Sequence, residues 1–532
     1  MKWIKRLSVV VLIGAVMGLT TTATADDMVF EPDELDDEEL EHLEELIEEG
    51  QRLYEESNYE EASLRFFDVL EEDEPGADNY HPEAEYELAR ALFRMGLYQG
   101  ALRYFGQIAE EGSFHPYYQP ALRGLLLLSD AIPGDMTLAE HLGRYADEFP
   151  DIVPDEYRDR YAYLAGRYFY DELQIEEAVR LLNEVGEGSE YYAPARYILG
   201  ITHVADYEAE PAVEAFRDVL MYYEAQDTPL DELTGEDAHL LDLTHLGMAR
   251  VYYSTGDFDV SMDYYERIDR DSPMWTEALF ESSWTYFQVD RFNEALGNLH
   301  SLNSPFFEEA YYPEGPILAS VIYFYNCNYD LVRDTLDDFD FVYEEVLEEM
   351  EAILAEYPDS SSLYDWAEQW RVGEVDGPPE FISALTSSLN DRQLMQRFEL
   401  VDSIDEEEER MFDLADSWQD SNLGATLNQE AAVARSFAMT DAGDLVQGRL
   451  ERVVDELRGL LTQQDEILFE VAQAERGEIE ADVRAGMLID DDVVEGPDLE
   501  VTGEEMYWEF DGEYWRDEIG FYRFDIRSEC RR

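Results

Sequence analysis

The chain is predicted to be all-α: a solenoid of paired helices, then a long antiparallel helical hairpin of coiled-coil character, then a small C-terminal β segment. Three features of the 532-residue sequence predict it. Small and aromatic residues recur in a fixed order and at a recurring spacing through residues 42–346. Two long helical stretches, roughly 380–419 and 423–486, meet at QDSNLG. The closing stretch, YWEFDGEYWRDEIGFYRFDIRSEC, alternates aromatic with polar residues around Asp511-Gly512, a strong hairpin-turn signal.

Residues 1–25 have the three parts of a secretory signal peptide: the basic start MKWIKR, the apolar run LSVVVLIGAVMGL, and Ala23-Thr24-Ala25 before Asp26. Cleavage before Asp26 and export are expected, with an uncleaved anchor as the alternative. The apolar run falls short of the roughly 18 residues that span a bilayer. The residue directly after the cleavage point is Asp26 and not cysteine, so a lipid anchor is not expected. Residues 26–41 read as a flexible acidic leader.

The repeats come next. In LFRMGLYQGALRYFGQI, Gly96, Tyr98, Ala101 and Phe105 follow Leu88, Ala89 and Leu92. The frame also fits Gly50, Leu53, Tyr59, Ala62 and Phe66, and again Ala249, Tyr252, Gly256, Phe258, Ser261 and Tyr265, with Pro273 closing that unit. Further copies centre on Gly166 with Ala178, Gly200 with Ala212 and Phe216, Tyr286 with Phe292 and Ala295, and Tyr323 with Tyr329 and Val332. This order and spacing resembles the tetratricopeptide repeat. The resemblance covers roughly residues 40–345 and implies a right-handed superhelix whose groove holds proteins or peptides. Ala178 to Ala212 and Ser261 to Ala295 each match that repeat's period of about 34 residues. Ala212 to Ser261 is longer, which implies an inserted loop around AQDTPLDELTGEDA, and the wide gap from Ala101 to Ala178 leaves room for one eroded unit. About seven clear repeats and one degenerate one are therefore expected over 42–346. Small residues such as Ala89, Gly200 and Ala249 let paired helices approach, while Phe105, Phe216 and Tyr265 fill the space beside the next unit.

Residues 347–378 read as a closing helix pair ended by DGPP, and 379–486 as the hairpin. In its second arm Leu450, Val454, Leu457, Leu461, Leu468 and Val471 form a seam that the polar Gln464 interrupts. Neither arm can bury its stripe alone, so the two should fold back on each other and project as an interaction surface. Residues 487–532 read as an acidic linker and an aromatic β clasp. The clasp residues are Trp508, Phe510, Tyr514, Trp515, Tyr522 and Phe524, with sugar-ring stacking on a glycan as the other reading of the same aromatics. Cys327 and Cys530 are the only cysteines. In an exported protein they are expected to pair, closing a loop of about 200 residues worth on the order of 5 kcal/mol in the chain-entropy model; two free thiols are the alternative.

The composition narrows function further. With 126 acidic against 36 basic residues the formal charge is −90, and removing Lys2, Lys5 and Arg6 takes it to −93. Every basic residue beyond the leader is then arginine. Nucleic acid and anionic membranes are excluded as direct partners. The sequence has no phosphate loop, dinucleotide fingerprint, GxSxG elbow or HExxH pair, and its eight histidines are scattered. No catalytic residue, metal ligand or cofactor is therefore expected. The expected function is that of a non-enzymatic exported scaffold, resembling periplasmic repeat proteins of diderm bacteria, with envelope proteins or peptides as partners. A glycan- or peptidoglycan-binding protein is the first alternative, and an enzyme with a non-local site the second. Concentrated salt screens charge within about 3 Å at 1 M, so the acidic surface reads as adapted to a saline exterior. Thermal melting should rise by several degrees between low and molar salt; an unchanged melting temperature would contradict that reading.

Overall fold

The computed structural model describes residues 37–485, apart from 73–75, 133–135, 147–152, 227 and 308–309, and residues 506–530 apart from 509. The expected signal peptide, the leader up to residue 36 and the acidic linker up to residue 505 lie outside them. Among the described residues the chain is helical, without a strand.

Eight helix pairs follow one another among the described residues. They are Asp37–Glu55 with Tyr59–Leu70, His81–Met95 with Tyr98–Glu111, Tyr118–Leu128 with Met136–Arg144, and Asp155–Asp171 with Ile175–Leu182. Then come Tyr192–Ala205 with Ala209–Glu224, Gly235–Thr255 with Phe258–Tyr265, Trp275–Gln288 with Phe292–Leu302, and Glu314–Tyr325 with Tyr329–Glu356. Each helix packs chiefly on its sequence neighbours, which makes the array a solenoid.

Seven of these pairs share one turn. Ser57, Gly96, Leu173, Tyr207, Gly256, Asp290 and Cys327 all have φ between 57° and 81°, the left-handed region. In each case the next N–H bonds to a carbonyl five residues back, at 2.8–3.0 Å, and so closes the first helix of the pair. Only two of the seven are glycine, so the repeat holds ordinary side chains in a backbone conformation that costs about 1–2 kcal/mol each. The third pair, across the eroded unit, shows no such turn among its described residues.

Phe216 shows how units stack. A Cβ at Gly200 in its own pair would lie 2.5 Å from the Phe216 ring, and one at Gly247 in the next pair 2.7 Å from it. Two glycines thus form the slot that the ring fills completely, and Phe216 is 0% exposed.

Beyond the repeats the expected organisation changes. Residue 346 lies inside the single helix Tyr329–Glu356, so the last repeat runs on into the closing region, which continues with Ser360–Arg371. The first arm of the expected hairpin is broken into Pro379–Leu389 and Arg392–Phe412 because Asp391 caps the second piece, accepting from the N–H groups of Gln393 at 2.9 Å and Leu394 at 3.1 Å. The second arm, Asn422–Ala485, is one helix of 64 residues. Arg392–Phe412 lies antiparallel to its first part, with Arg435 on Asp405, Arg397 on Asp441 and Arg449 on Asp391. These helices do not project. Ser360–Arg371, Arg392–Phe412 and the long helix share the core of repeats one to five, because a two-helix seam exposed to water would bury too little apolar surface.

That helix also joins the two halves of the array. One core holds repeats one to five together with residues 346–457; a second holds residues 246–339 with Leu460, Val471, Ile519 and Tyr522. Leu457 belongs to the first and Leu460 to the second. At one end Leu427 lies against Gly100 of repeat two; at the other Gln464 donates to the carbonyl of Leu336 in repeat eight at 3.3 Å. The helix therefore spans about 55 Å between them at roughly 1.5 Å per residue. It approaches another element tightly at Gly443, where a Cβ would sit 1.8 Å from the carbonyl oxygen of Ser360. Gly443→Ala should lower stability by about 2–3 kcal/mol in urea unfolding, as an overpacked contact that cannot relax without moving a helix.

Candidate functional site

Two regions of the array are covered by the chain's own C-terminal part, and the first is the turn of repeat two. Its second helix begins Tyr98-Gln99-Gly100, without an acidic residue in the first turn, whereas the other six pairs with the left-handed turn carry one or two there. Those acids complement the positive end of the helix dipole. In repeat two the acid arrives from 308 residues away: both carboxylate oxygens of Glu407 accept from the N–H of Gln99 at 3.1 Å. Arg410, one turn on, donates to the carbonyl of Gly96 at 3.0 Å. Trp418 is fully buried and donates through Nε1 to Ser63 Oγ at 3.0 Å in repeat one. Burial pushes the Glu407 carboxyl up to about 7, while the N–H groups of Gln99, Gly100 and Tyr98 oppose that shift.

The second region is the aromatic tail, residues 506–530. It crosses repeats six to eight as irregular chain, and the expected β-meander does not form. Its backbone donors go to helices instead of to a paired strand: Gly520 N–H to Ser301 Oγ at 3.0 Å, Phe524 N–H to Asn293 O at 2.9 Å, and Glu529 N–H to Asn326 O at 2.8 Å. A Cβ on Gly297 would lie 1.8 Å from the Tyr522 carbonyl oxygen, so only glycine admits the tail there. Cys530 is disulfide-bonded to Cys327, the left-handed residue of repeat eight, with Cα atoms 5.0 Å apart.

Three of the six sequence-predicted aromatics meet at His300. Its ring lies 4.6 Å from Phe510, 4.8 Å from Tyr514 and 5.2 Å from Tyr522, and burial lowers its pKa. Trp508 packs on Trp515 at 4.9 Å and on Tyr522 at 5.2 Å, with ring planes tilted by 37° and 47°. Phe524 sits 6.0 Å from Tyr323. These rings pack against one another, while Phe510 and Trp515 keep 46% and 38% exposure.

Between the tail and repeats six and seven lies an open cleft of roughly 570 Å³. Sequence reasoning missed it, since its walls come from residues 262–298 and 519–523. Arg270 stands 5.7 Å from the Trp275 ring and 5.5 Å from Phe521, and is held by the carbonyls of Arg516 at 2.7 Å and Asp517 at 3.3 Å. Arg291 lies 4.6 Å from the Tyr286 ring and pairs with Glu294 at 3.0 Å. Rings and guanidinium groups are thus fixed before any ligand arrives. Among the described residues no three His, Cys, Asp or Glu side chains form a metal-binding group, and no helix is long and apolar enough to cross a membrane.

No protein-family model and no curated protein matches the chain. Among solved structures it is similar to the apo form of RapI, at 13% identity and TM-score 0.35, covering 63% of this chain and 100% of that one. It is also similar to TTC0263, a thermophilic TPR protein of Thermus thermophilus, at 19% identity and TM-score 0.16, covering 46% of this chain and 99% of that one. A Rap protein complexed with competence and sporulation factor matches at 12% identity and TM-score 0.23, covering 78% of this chain and 99% of that one. The scores are too low for these likenesses to assign a fold or a partner.

Glu407 makes the docking of the returning helix pH-dependent. Its folded pKa is raised from the usual 4.5 to about 7, so folding takes up a proton in that window. The contribution is complete below about pH 4.5 and is lost as pH rises through 7. Glu407→Gln should flatten this decline and gain on the order of 3 kcal/mol over the parent at about pH 8, with little difference at about pH 4.5. Denaturant unfolding of both proteins across that range measures it.

Proposed function

We propose that the chain is a non-enzymatic, exported scaffold that holds envelope proteins or peptides. The observation that carries this reading is the preformed cleft of arginine and aromatic side chains beside an array whose two ends are tied together by its own long helix. Such a frame binds with little ordering on its own side, and its arginines and rings are the residue types that dominate binding energy at protein interfaces. The Cys327–Cys530 disulfide supports an oxidising compartment outside the cytoplasm, with the periplasm as the favoured location. The aromatic tail acts as a clasp that closes the repeat core on one side and forms a wall of the cleft on the other.

Crosslinking in intact cells, followed by purification of the tagged chain and identification of the attached proteins, tests this. Recovery of one or a few envelope proteins through residues lining the cleft is the expected result. Crosslinks to no protein, under conditions in which a control scaffold captures its partner, would sink the proposal.

A further inference from the structure

A second surface lies where repeats seven and eight meet the long helix. The helix Glu314–Tyr325 presents Ile317, Val321 and Phe324 on one stripe, Trp284 stands beside them, and the long helix forms the opposite wall with Ile467 and Phe469. These residues line a groove of roughly 730 Å³. Phe469 is 64% exposed, although it belongs to a helix whose neighbour Val471 is 1% exposed. The rim carries Asp465, Glu466 and Glu470 and no basic residue.

The geometry points to a docking groove for a cationic amphipathic helix of a partner protein. The inference rests on the scaffold reading and assigns it a second site with defined partner chemistry. Two helical walls flanking an apolar floor fit an occupant that presents apolar residues at i, i+3, i+4 and i+7. The one-sided acidic rim selects arginine or lysine flanking that stripe. It also tells against a second copy of this chain, because a partner of charge −90 would bring carboxylates against carboxylates. In saline surroundings the charge term is screened, so the apolar floor supplies most of the affinity and the rim sets orientation.

The test uses the full-length disulfide-bonded protein and a synthetic helical peptide of about fourteen residues, roughly four turns, with leucines on the apolar stripe and arginines beside it. A scrambled peptide of the same composition reports the general attraction of so acidic a protein for cations. The amphipathic peptide should bind saturably and at least about tenfold more tightly than the scrambled one. Phe469→Ala and Val321→Ser, which leave the net charge unchanged, should each weaken it by about tenfold without moving the binding of the scrambled peptide. Replacing Glu466 and Glu470 with arginine should shift preference toward a peptide carrying glutamates in place of its arginines. Phe469 is exposed, so its variant folds even if the Val321 variant does not. Equal binding of the two peptides, or tight binding untouched by Phe469→Ala, overturns the groove. If partners crosslink in cells while the groove fails this test, the scaffold reading stands and only the groove is lost.

Discussion

A stack of helix pairs has ends, and each end exposes an apolar face that no further repeat covers. The rest of this structure follows from how the chain meets that constraint. A single helix of 64 residues runs from repeat two to repeat eight and contributes side chains to both cores, Leu427 and Leu457 to one, Leu460 and Val471 to the other. Consequently the curvature of the array is not a free variable of the repeats. The helix contacts repeat two at one end and repeat eight at the other and so constrains it as well.

Much of the repeat region was legible because its signals are local. A small residue facing a ring, an aromatic two places after many of the turns and a recurring interval of about 34 residues between some of the anchors all report one helix pair packing on itself. The Cys327–Cys530 pairing was also accessible, since two cysteines admit one bridge. The C-terminal third was read less well, for a physical reason. Periodicity identifies an apolar stripe but not what covers it, and the stripe of Asn422–Ala485 is covered by repeats far upstream as well as by Arg392–Phe412. The alternation of the tail is real, yet alternation needs a paired strand to become a sheet. Here the donors of Gly520, Phe524 and Glu529 find Ser301, Asn293 and Asn326 first.

Charge behaves differently at the buried contacts and at the surface. At the surface, carboxylates far outnumber arginines, and the exposed pairs that form are worth little individually. Glu407 is the opposite case: 2% exposed, far from its helix partner in sequence, and held on a helix N-terminus that lacks an acid of its own. The one legible trace of it is an absence, the Tyr98-Gln99-Gly100 turn without the Asp or Glu that the corresponding turns carry. Where repeats share a local rule, the copy that breaks it marks a place where another part of the chain supplies the missing group.

The long helix also gives the molecule a load path. An ordinary solenoid stretches like a spring, because a pull on its ends is taken up by small rotations at every repeat interface. Here, tension between repeat two and repeat eight passes into one rod about 55 Å long, whose hydrogen bonds lie along the direction of pull. Extension then requires that the rod stretch or that one of its docking points tear loose. The weaker of the two, at Leu427 with Gly100 or at Gln464 with Leu336, sets the force at which a compliant spring replaces a stiff bracket.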